Sequence, residues 1–213
     1  VARRLSLRKH PECHSMAGGK AIEHLAQTGN REVLTLRLPM QRYRNCDFSF
    51  SGLQNLVYNA IVQKEKEEGI FKQSDINGVF GHLYPGNPLS SYIFIGIQEG
   101  EILSCVKDIA AAVQHTVAVH IMQKTYRAML FCIKNSILPS KNATLVVSGG
   151  VASNQYIRKS LQNLADANDF ALLCPPPRLC TDNGVMIAWN GMERLCAGVG
   201  VLHSTDGIRY EPR

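Results

Sequence analysis

The chain has 213 residues, 45% hydrophobic, 19% charged and 7% aromatic, enough to bury one sizeable core and too apolar for a disordered or fibrous chain. Its longest apolar stretches, such as Ala128–Ile133, fall far short of the ~20 residues that cross a bilayer, so no membrane partner is expected. The net charge of +6 sits at one end: residues 1–44 carry nine Lys or Arg against three Glu, and residues 45–213 carry fourteen of each sign.

In chain order, Val1–Leu7 has the basic spacing of a helix tail, which His10–Cys13 (HPEC) ends. Lys20–Gln27 has helical spacing of Ile22, Leu25 and Ala26, with Gly19 at its N-terminus and Gly29 as the C-terminal stop. Leu34, Leu36 and Leu38 alternate as a strand would, as does Asp47–Ser51 (DFSFS); a helix follows over Leu53–Glu68. Phe71–Gly100, with two prolines and five glycines, reads as a long loop or a strand pair. Glu101–Asn135 sustains a helical apolar period and predicts a long core helix. Leu145–Val147 is a short buried strand, Ser148–Gly150 a sharp turn, Asn154–Ala165 a helix and Phe170–Leu173 a strand; a triple proline then precedes an apolar helix over Asp182–Ala197, interrupted at Gly184 and Gly191. Strand, glycine turn, helix, strand, proline loop, helix is the order of an α/β domain with a mixed sheet.

Seven cysteines, an odd number without CxxC pairs, fit a reducing compartment and buried thiols better than disulfides or zinc. The Asn142–Thr144 sequon reads as a chance match. The basic first segment could follow a phosphate backbone by releasing its counterions, or form a solvated face. A first residue that is not Met, and a last, Arg213, with no closing element, read as a fragment, so a missing targeting segment says nothing of compartment.

Three glycine-bearing turns could carry chemistry. In SGGVASN (Ser148–Asn154), Gly149 and Gly150 let backbone approach a ligand at a helix start where free amides favour an anion, and Asn154 can donate and accept; the alternative is a tight turn with Ser153 or Asn154 as cap. In CTDNG (Cys180–Gly184), Asp182 could bind a metal, or Thr181 or Asp182 could cap the helix. AGGKAIE (Ala17–Glu23) pairs glycines at a helix start with Glu23 one turn on. His115 and His120, five apart on a helix, diverge and cannot share a metal; His10 and His14 read as a loop because of Pro11. The chain has no GxSxG, GxxxxGK[ST], GxGxxG or HExxH motif.

VARRLSL, HPEC, the glycine pair before KAIEHLA, DFSFSGL at Asp47–Leu53, SGGVASNQYIR at Ser148–Arg158 and CPPPRLCTDNGVMIAWNG at Cys174–Gly191 together resemble the tRNA N6-adenosine threonylcarbamoyltransferases, once called the O-sialoglycoprotein endopeptidase family, and among them the single-chain mitochondrial branch. The resemblance covers nearly the whole chain except Phe71–Gly100, which stands as an insertion. It implies an actin-like, sugar-kinase-like ATPase fold with a ribonuclease H-like lobe, of which residues 1–213 supply the C-terminal lobe and part of the connection. It implies transfer of the threonylcarbamoyl group from threonylcarbamoyl-AMP to N6 of the adenosine just 3′ of the anticodon in tRNAs reading codons that begin with A, with AMP leaving. The implied partners are that tRNA, threonylcarbamoyl-AMP and, for the full-length protein, a second copy in a homodimer; the implied location is mitochondrial. Carried onto matched positions, Gly19 and Glu23 meet the ribose side of the adenylate. Gly149, Gly150, Ser153, Asn154 and Thr181 line the nucleotide site, and Asp182 is a ligand to one iron or zinc ion per subunit. The other metal ligands, a family HxxxH motif, belong to a first lobe that this sequence lacks: His10 and His14 have the spacing without the place or the neighbours. No catalytic residue is assigned, and the chain by itself is expected to be inactive. The alternatives are a non-catalytic truncated isoform or scaffold, and a small-molecule kinase of the same fold.

Overall fold

The structure, a computed structural model, describes residues 1–70, 102–139, 142–200, 204 and 206. In chain order its elements are α1 (Gly18–Ala26), α2 (Ser51–Glu67), α3 (Val106–Lys134), β1 (Ala143–Val146), α4 (Gln155–Asp166), β2 (Phe170–Leu173) and α5 (Gly184–Cys196), with 3₁₀ turns at Gly150–Ser153 and Pro177–Leu179. Phe71–Gly100 lies outside the described residues.

The 29-residue α3 is the axle of the molecule. Its N-terminal half buries Val106, Ile109, Ala110 and Val113 against Leu25 of α1, Val57 and Ile61 of α2, and Leu5 and Leu7. Its middle and C-terminal part meet the β1–α4–β2 unit: Ala118 packs with Ile157 and Leu161, and Met129 with Ala143, Ala165 and Phe170. On α2 the buried residues Leu53, Val57, Ile61 and Glu65 recur every fourth position, one face of a helix. Glu65 is tolerated there because both its oxygens take hydrogen bonds from Arg4, whose guanidinium also lies 5.3 Å from the centre of the Tyr58 ring. That pairing anchors Val1–Leu7, which is a series of turns and not the expected helix tail, since Ser6 adopts a left-handed φ of 51° that ends any helical run.

β1 and β2 pair in parallel, with Ala143 opposite Phe170 and Val146 opposite Leu173, joined through α4. The mixed α/β class is as expected, but among the described residues the sheet is two parallel strands and not a mixed one. The two further strands read from alternation do not form. Leu34 and Leu36 pack onto the first core as extended chain without a ladder, and the Ser49 amide goes to a histidine, so each segment spends its polar groups or apolar faces elsewhere. α5 runs without a break through Gly191, and its Val185, Ile187 and Trp189 are 68–75% exposed, as are the outward Val146 and Leu173 of the sheet at about 60%. All seven cysteines are free thiols; Cys13 and Cys180 are buried, while Cys46 and Cys196 are exposed, against the expectation that all would be core groups.

Gly29 does not act as a helix stop. α1 ends at Ala26 with Gln27 as cap, and Gly29 has no left-handed φ; a Cβ there would lie 2.0 Å from the Lys107 carbonyl oxygen, at the head of α3. The glycine lets two backbones touch. Gly29→Ala is expected to destabilise the chain by about 1–3 kcal/mol, read as a lower urea midpoint with unchanged slope, because backbone cannot yield as a side chain can.

Candidate functional site

Taken in chain order, the first two of the three turns, AGGKAIE (Ala17–Glu23) and SGGVASN (Ser148–Asn154), meet at the head of α4. Gly149 has φ 98° and ψ 171°, a conformation open essentially to glycine alone, and it swings the chain from β1 into the 3₁₀ turn. A side chain at Gly150 would meet nothing within 4 Å, and the same holds at Gly19. Ser153 Oγ donates to the Gly150 carbonyl at 2.7 Å. Asn154 is the N-cap: its Oδ1 accepts from Ile157 N at 3.0 Å and from Nε2 of the buried Gln114 of α3 at 3.1 Å. The Nδ2 amide of Asn154 takes part in no hydrogen bond among the described residues. Capping and a donor role are therefore compatible, where the sequence offered them as alternatives.

Glu23, 5% exposed, reaches across from α1. Its Oε1 accepts from the Gln155 amide, the first of α4, at 2.8 Å, and its Oε2 pairs with Lys20 at 2.9 Å. A carboxylate at a helix N-terminus is favoured both by the free amides and by the helix dipole. Residues 132 apart in sequence thus share one spot.

The third turn is tied in by Arg158. From the second turn of α4 its Nε donates to the Ala152 carbonyl and its Nη2 to the Pro175 carbonyl and, at 3.1 Å, to Cys180 Sγ. One guanidinium holds the SGGVAS turn and the proline loop together, a geometry a planar fork of donors suits. Beyond Cys180, Thr181 and Asp182 are both exposed, and neither caps α5. Asn183 does, accepting from Met186 N at 3.2 Å and donating to the Thr181 carbonyl at 3.0 Å. This corrects the cap expected of Thr181 or Asp182. Asp182 makes no hydrogen bond among the described residues, and with Asn183, Met186 and Ile187 it lines an open depression of about 320 Å³. Among the described residues no three His, Cys, Asp or Glu side chains are grouped to hold a metal.

Sequence reasoning missed Arg158, Gln114 and Asn183. Arg158 and Asn183 lie inside the motifs singled out, but nothing in their spacing says which loop each side chain bonds. It also missed Tyr156, whose hydroxyl accepts from Arg31 at 3.1 Å and shares a hydrogen bond with Nδ1 of His115 at 2.8 Å. His115 and His120 do diverge, as expected: His115 meets α4, and His120 stands edge-on to Phe48 and Phe50. His10 and His14 lie in turns and bond their own segment, at Glu12 N and the Pro11 carbonyl.

Burial pushes both His115 and His120 below the usual imidazole value of 6.5, with help from Arg31 and Lys124 respectively. The folded chain therefore resists protons that the unfolded chain takes up. Stability contributed by these groups is fully present above about pH 6.5 and declines as the pH falls through that value. We expect the melting temperature to drop between pH 7.5 and 5.5, and the His115→Gln/His120→Gln double variant to show a flatter profile.

A strand that delivers a glycine turn to the head of a helix and a second strand parallel to the first, with a buried acid from a distant helix on the first helical amide, defines a protein of the α/β class. The family profile described as tRNA N6-adenosine threonylcarbamoyltransferase (TsaD) matches residues 1–189, and the chain belongs to that family. It is 54% identical over 213 residues to the mitochondrial tRNA N6-adenosine threonylcarbamoyltransferase of Homo sapiens, covering 100% of this chain and 45% of that protein. It is 55% identical to the Mus musculus enzyme of the same name over the same span, and 38% identical over 195 residues to the tRNA N6-adenosine threonylcarbamoyltransferase of Granulibacter bethesdensis, covering 92% of this chain and 42% of that one. The chain spans about half the length of the curated relatives it matches.

Proposed function

We propose that this chain is the C-terminal lobe of a two-lobe, actin-like ATPase-fold enzyme of mitochondria that moves the threonylcarbamoyl group from threonylcarbamoyl-AMP to N6 of the adenosine 3′ of the anticodon in tRNAs reading codons that begin with A. The observation that carries it is the Glu23 carboxylate on the Gln155 amide, which joins the first glycine turn to the second across the whole chain. Arg158 extends the same neighbourhood to the third turn. The exposed apolar side chains around α5 and the exposed outer face of the sheet support a lobe that packs on further protein.

In this reading Gly149 and Gly150 leave backbone amides open to the nucleotide, Asn154 offers the base or ribose its Nδ2, which no described residue engages, and Ser153 and Thr181 flank it. Gly19 keeps its side clear, and Glu23 exchanges the exposed Lys20 for a ribose hydroxyl. Asp182 fits a metal ligand because its carboxylate is exposed and bonded to nothing else among the described residues, and it would be this chain's single contribution, the remaining ligands coming from the other lobe. An iron or zinc ion held there would supply Lewis-acid polarisation of the carbamoyl oxygen. The enzyme works as a homodimer, and the 213-residue chain alone does not transfer. The relatives described above are all named threonylcarbamoyltransferases, which supports group transfer to tRNA over a small-molecule kinase of the same fold.

The test is incorporation of labelled threonine from threonylcarbamoyl-AMP into mitochondrial tRNA, by the 213-residue chain and by the longer protein of its relatives' length. Incorporation by the longer protein alone is the expected result. A longer protein that binds tRNA and the adenylate without transferring would identify a scaffold instead.

A further inference from the structure

We propose that the loop over residues 41–50 is a basic, aromatic platform on which an unpaired stretch of RNA is seated, its bases stacked on exposed rings and its phosphates drawn to the exposed arginines of the loop. The proposal rests on the tRNA reading above and names the surface that reading leaves undefined.

The loop has no helix or ladder of its own and is held from below by α3. Nζ of Lys124, 1% exposed, donates to the carbonyls of Tyr43 and Asn45 and to Oδ1 of Asn45 at 3.0–3.1 Å, and Arg127 donates to the Tyr43 carbonyl. The Ser49 amide donates to Nε2 of the fully buried His120 at 3.4 Å. Among the described residues Lys124 and Arg127 meet only neutral acceptors there and no carboxylate pairs with either, so their charge adds to that of the exposed Arg42 and Arg44. The one acid of the loop, Asp47, is engaged by the Asn45 side-chain amide.

What this frame presents outward is flat and apolar. Tyr43 is 62% exposed, and Phe48 and Phe50 are 50% and 42% exposed. The two phenyl rings lie within 8° of parallel with centres 6.4 Å apart, and both stand perpendicular to His120 beneath them, at 5.7 and 5.3 Å. Rings that could turn inward are instead braced from behind by a buried imidazole, while the loop contains no aliphatic side chain. A protein-binding patch would be expected to mix aliphatic anchors with such rings. Aromatic faces between cations are what a single strand needs, because every base has a π-face to stack and every nucleotide a phosphate to neutralise. The surplus of positive charge in residues 1–44, the segment that runs into this loop, matches the same polyanion.

The experiment is an anisotropy titration of the 213-residue chain against a fluorescent 17-nucleotide RNA hairpin with seven unpaired loop nucleotides, and against the same RNA annealed to its complement, between 50 and 200 mM salt. The hairpin should bind more tightly than the duplex. Phe48→Leu should weaken hairpin binding roughly tenfold and duplex binding little, with Phe48→Tyr restoring it. Arg42→Gln/Arg44→Gln should lower the salt slope by about 1 to 1.5. Tyr43→Leu, at the most exposed ring, gives the same reading should Phe48→Leu melt early. Equal binding of hairpin and duplex, untouched by the ring variants, would overturn the platform, and so would self-association of the chain with no RNA binding. Transfer is read separately in the longer protein: its absence beside intact hairpin preference condemns the transferase reading and spares the platform, and the reverse pattern does the opposite.

Discussion

Asp182→Ala in the longer protein should cut threonylcarbamoyl transfer by roughly 100-fold or more while shifting stability by less than about 0.5 kcal/mol. The two halves of this expectation come from the same geometry. Asp182 is exposed at the foot of α5, the cap of that helix is Asn183, and no described side chain or amide bonds the carboxylate, so the fold loses nothing when it goes. A group with no structural duty in a loop clamped to the glycine turn is free to serve a ligand. The measurement is labelled-threonine incorporation beside a thermal melt, with the bound metal counted per chain. Full transfer by Asp182→Ala, or a loss of transfer that merely tracks a loss of folded protein, would remove Asp182 from the site.

Arg158→Leu should act in the opposite manner, through structure first. Its guanidinium satisfies two backbone carbonyls and the Cys180 thiol on two different loops; Leu removes the donor to the Ala152 carbonyl and leaves the Pro175 carbonyl with only the weak Cys180 thiol donor at 3.6 Å, in a half-buried setting. The cost is about 2–3 kcal/mol, or roughly 5–10 °C in melting temperature. Hydrogen exchange should rise at residues 150–154 and 175–181 and not in α1 or α2, since the first core does not include Arg158. Arg158→Lys should rescue little, because one ammonium cannot span the three acceptors as the fork does. Transfer should fall with both. If exchange at the two loops is unchanged in Arg158→Leu, the three turns are not held together as described here.

The helices were legible because each carries its own period. Leu53, Val57 and Ile61 mark the buried face of α2, the long apolar run of α3 lies within one or two turns of its observed ends, and Phe170–Leu173 is the observed strand. The strands expected at Leu34–Leu38 and Asp47–Ser51 failed for a shared reason. Alternation shows that a segment has two faces, but a strand exists only if another strand accepts its amides, and here the Ser49 amide found His120. Gly29 failed similarly: the sequence shows that a side chain is missing but not whether torsion or a neighbour's backbone forbids one, and the neighbour is Lys107.

The family, the α/β class, the glycine turns and the helix faces were determined by the amino-acid sequence itself, since motif identity and periodicity are local and survive without a partner. The tertiary structure alone decided that Glu23 ends on the Gln155 amide, that Arg158 ties the second turn to the third, and that Asn183 rather than Asp182 caps α5. Each of these is a choice among several acceptors or donors of equal chemistry, and only the packing of α1 and α4 about α3 determines which one lies within 3 Å or so.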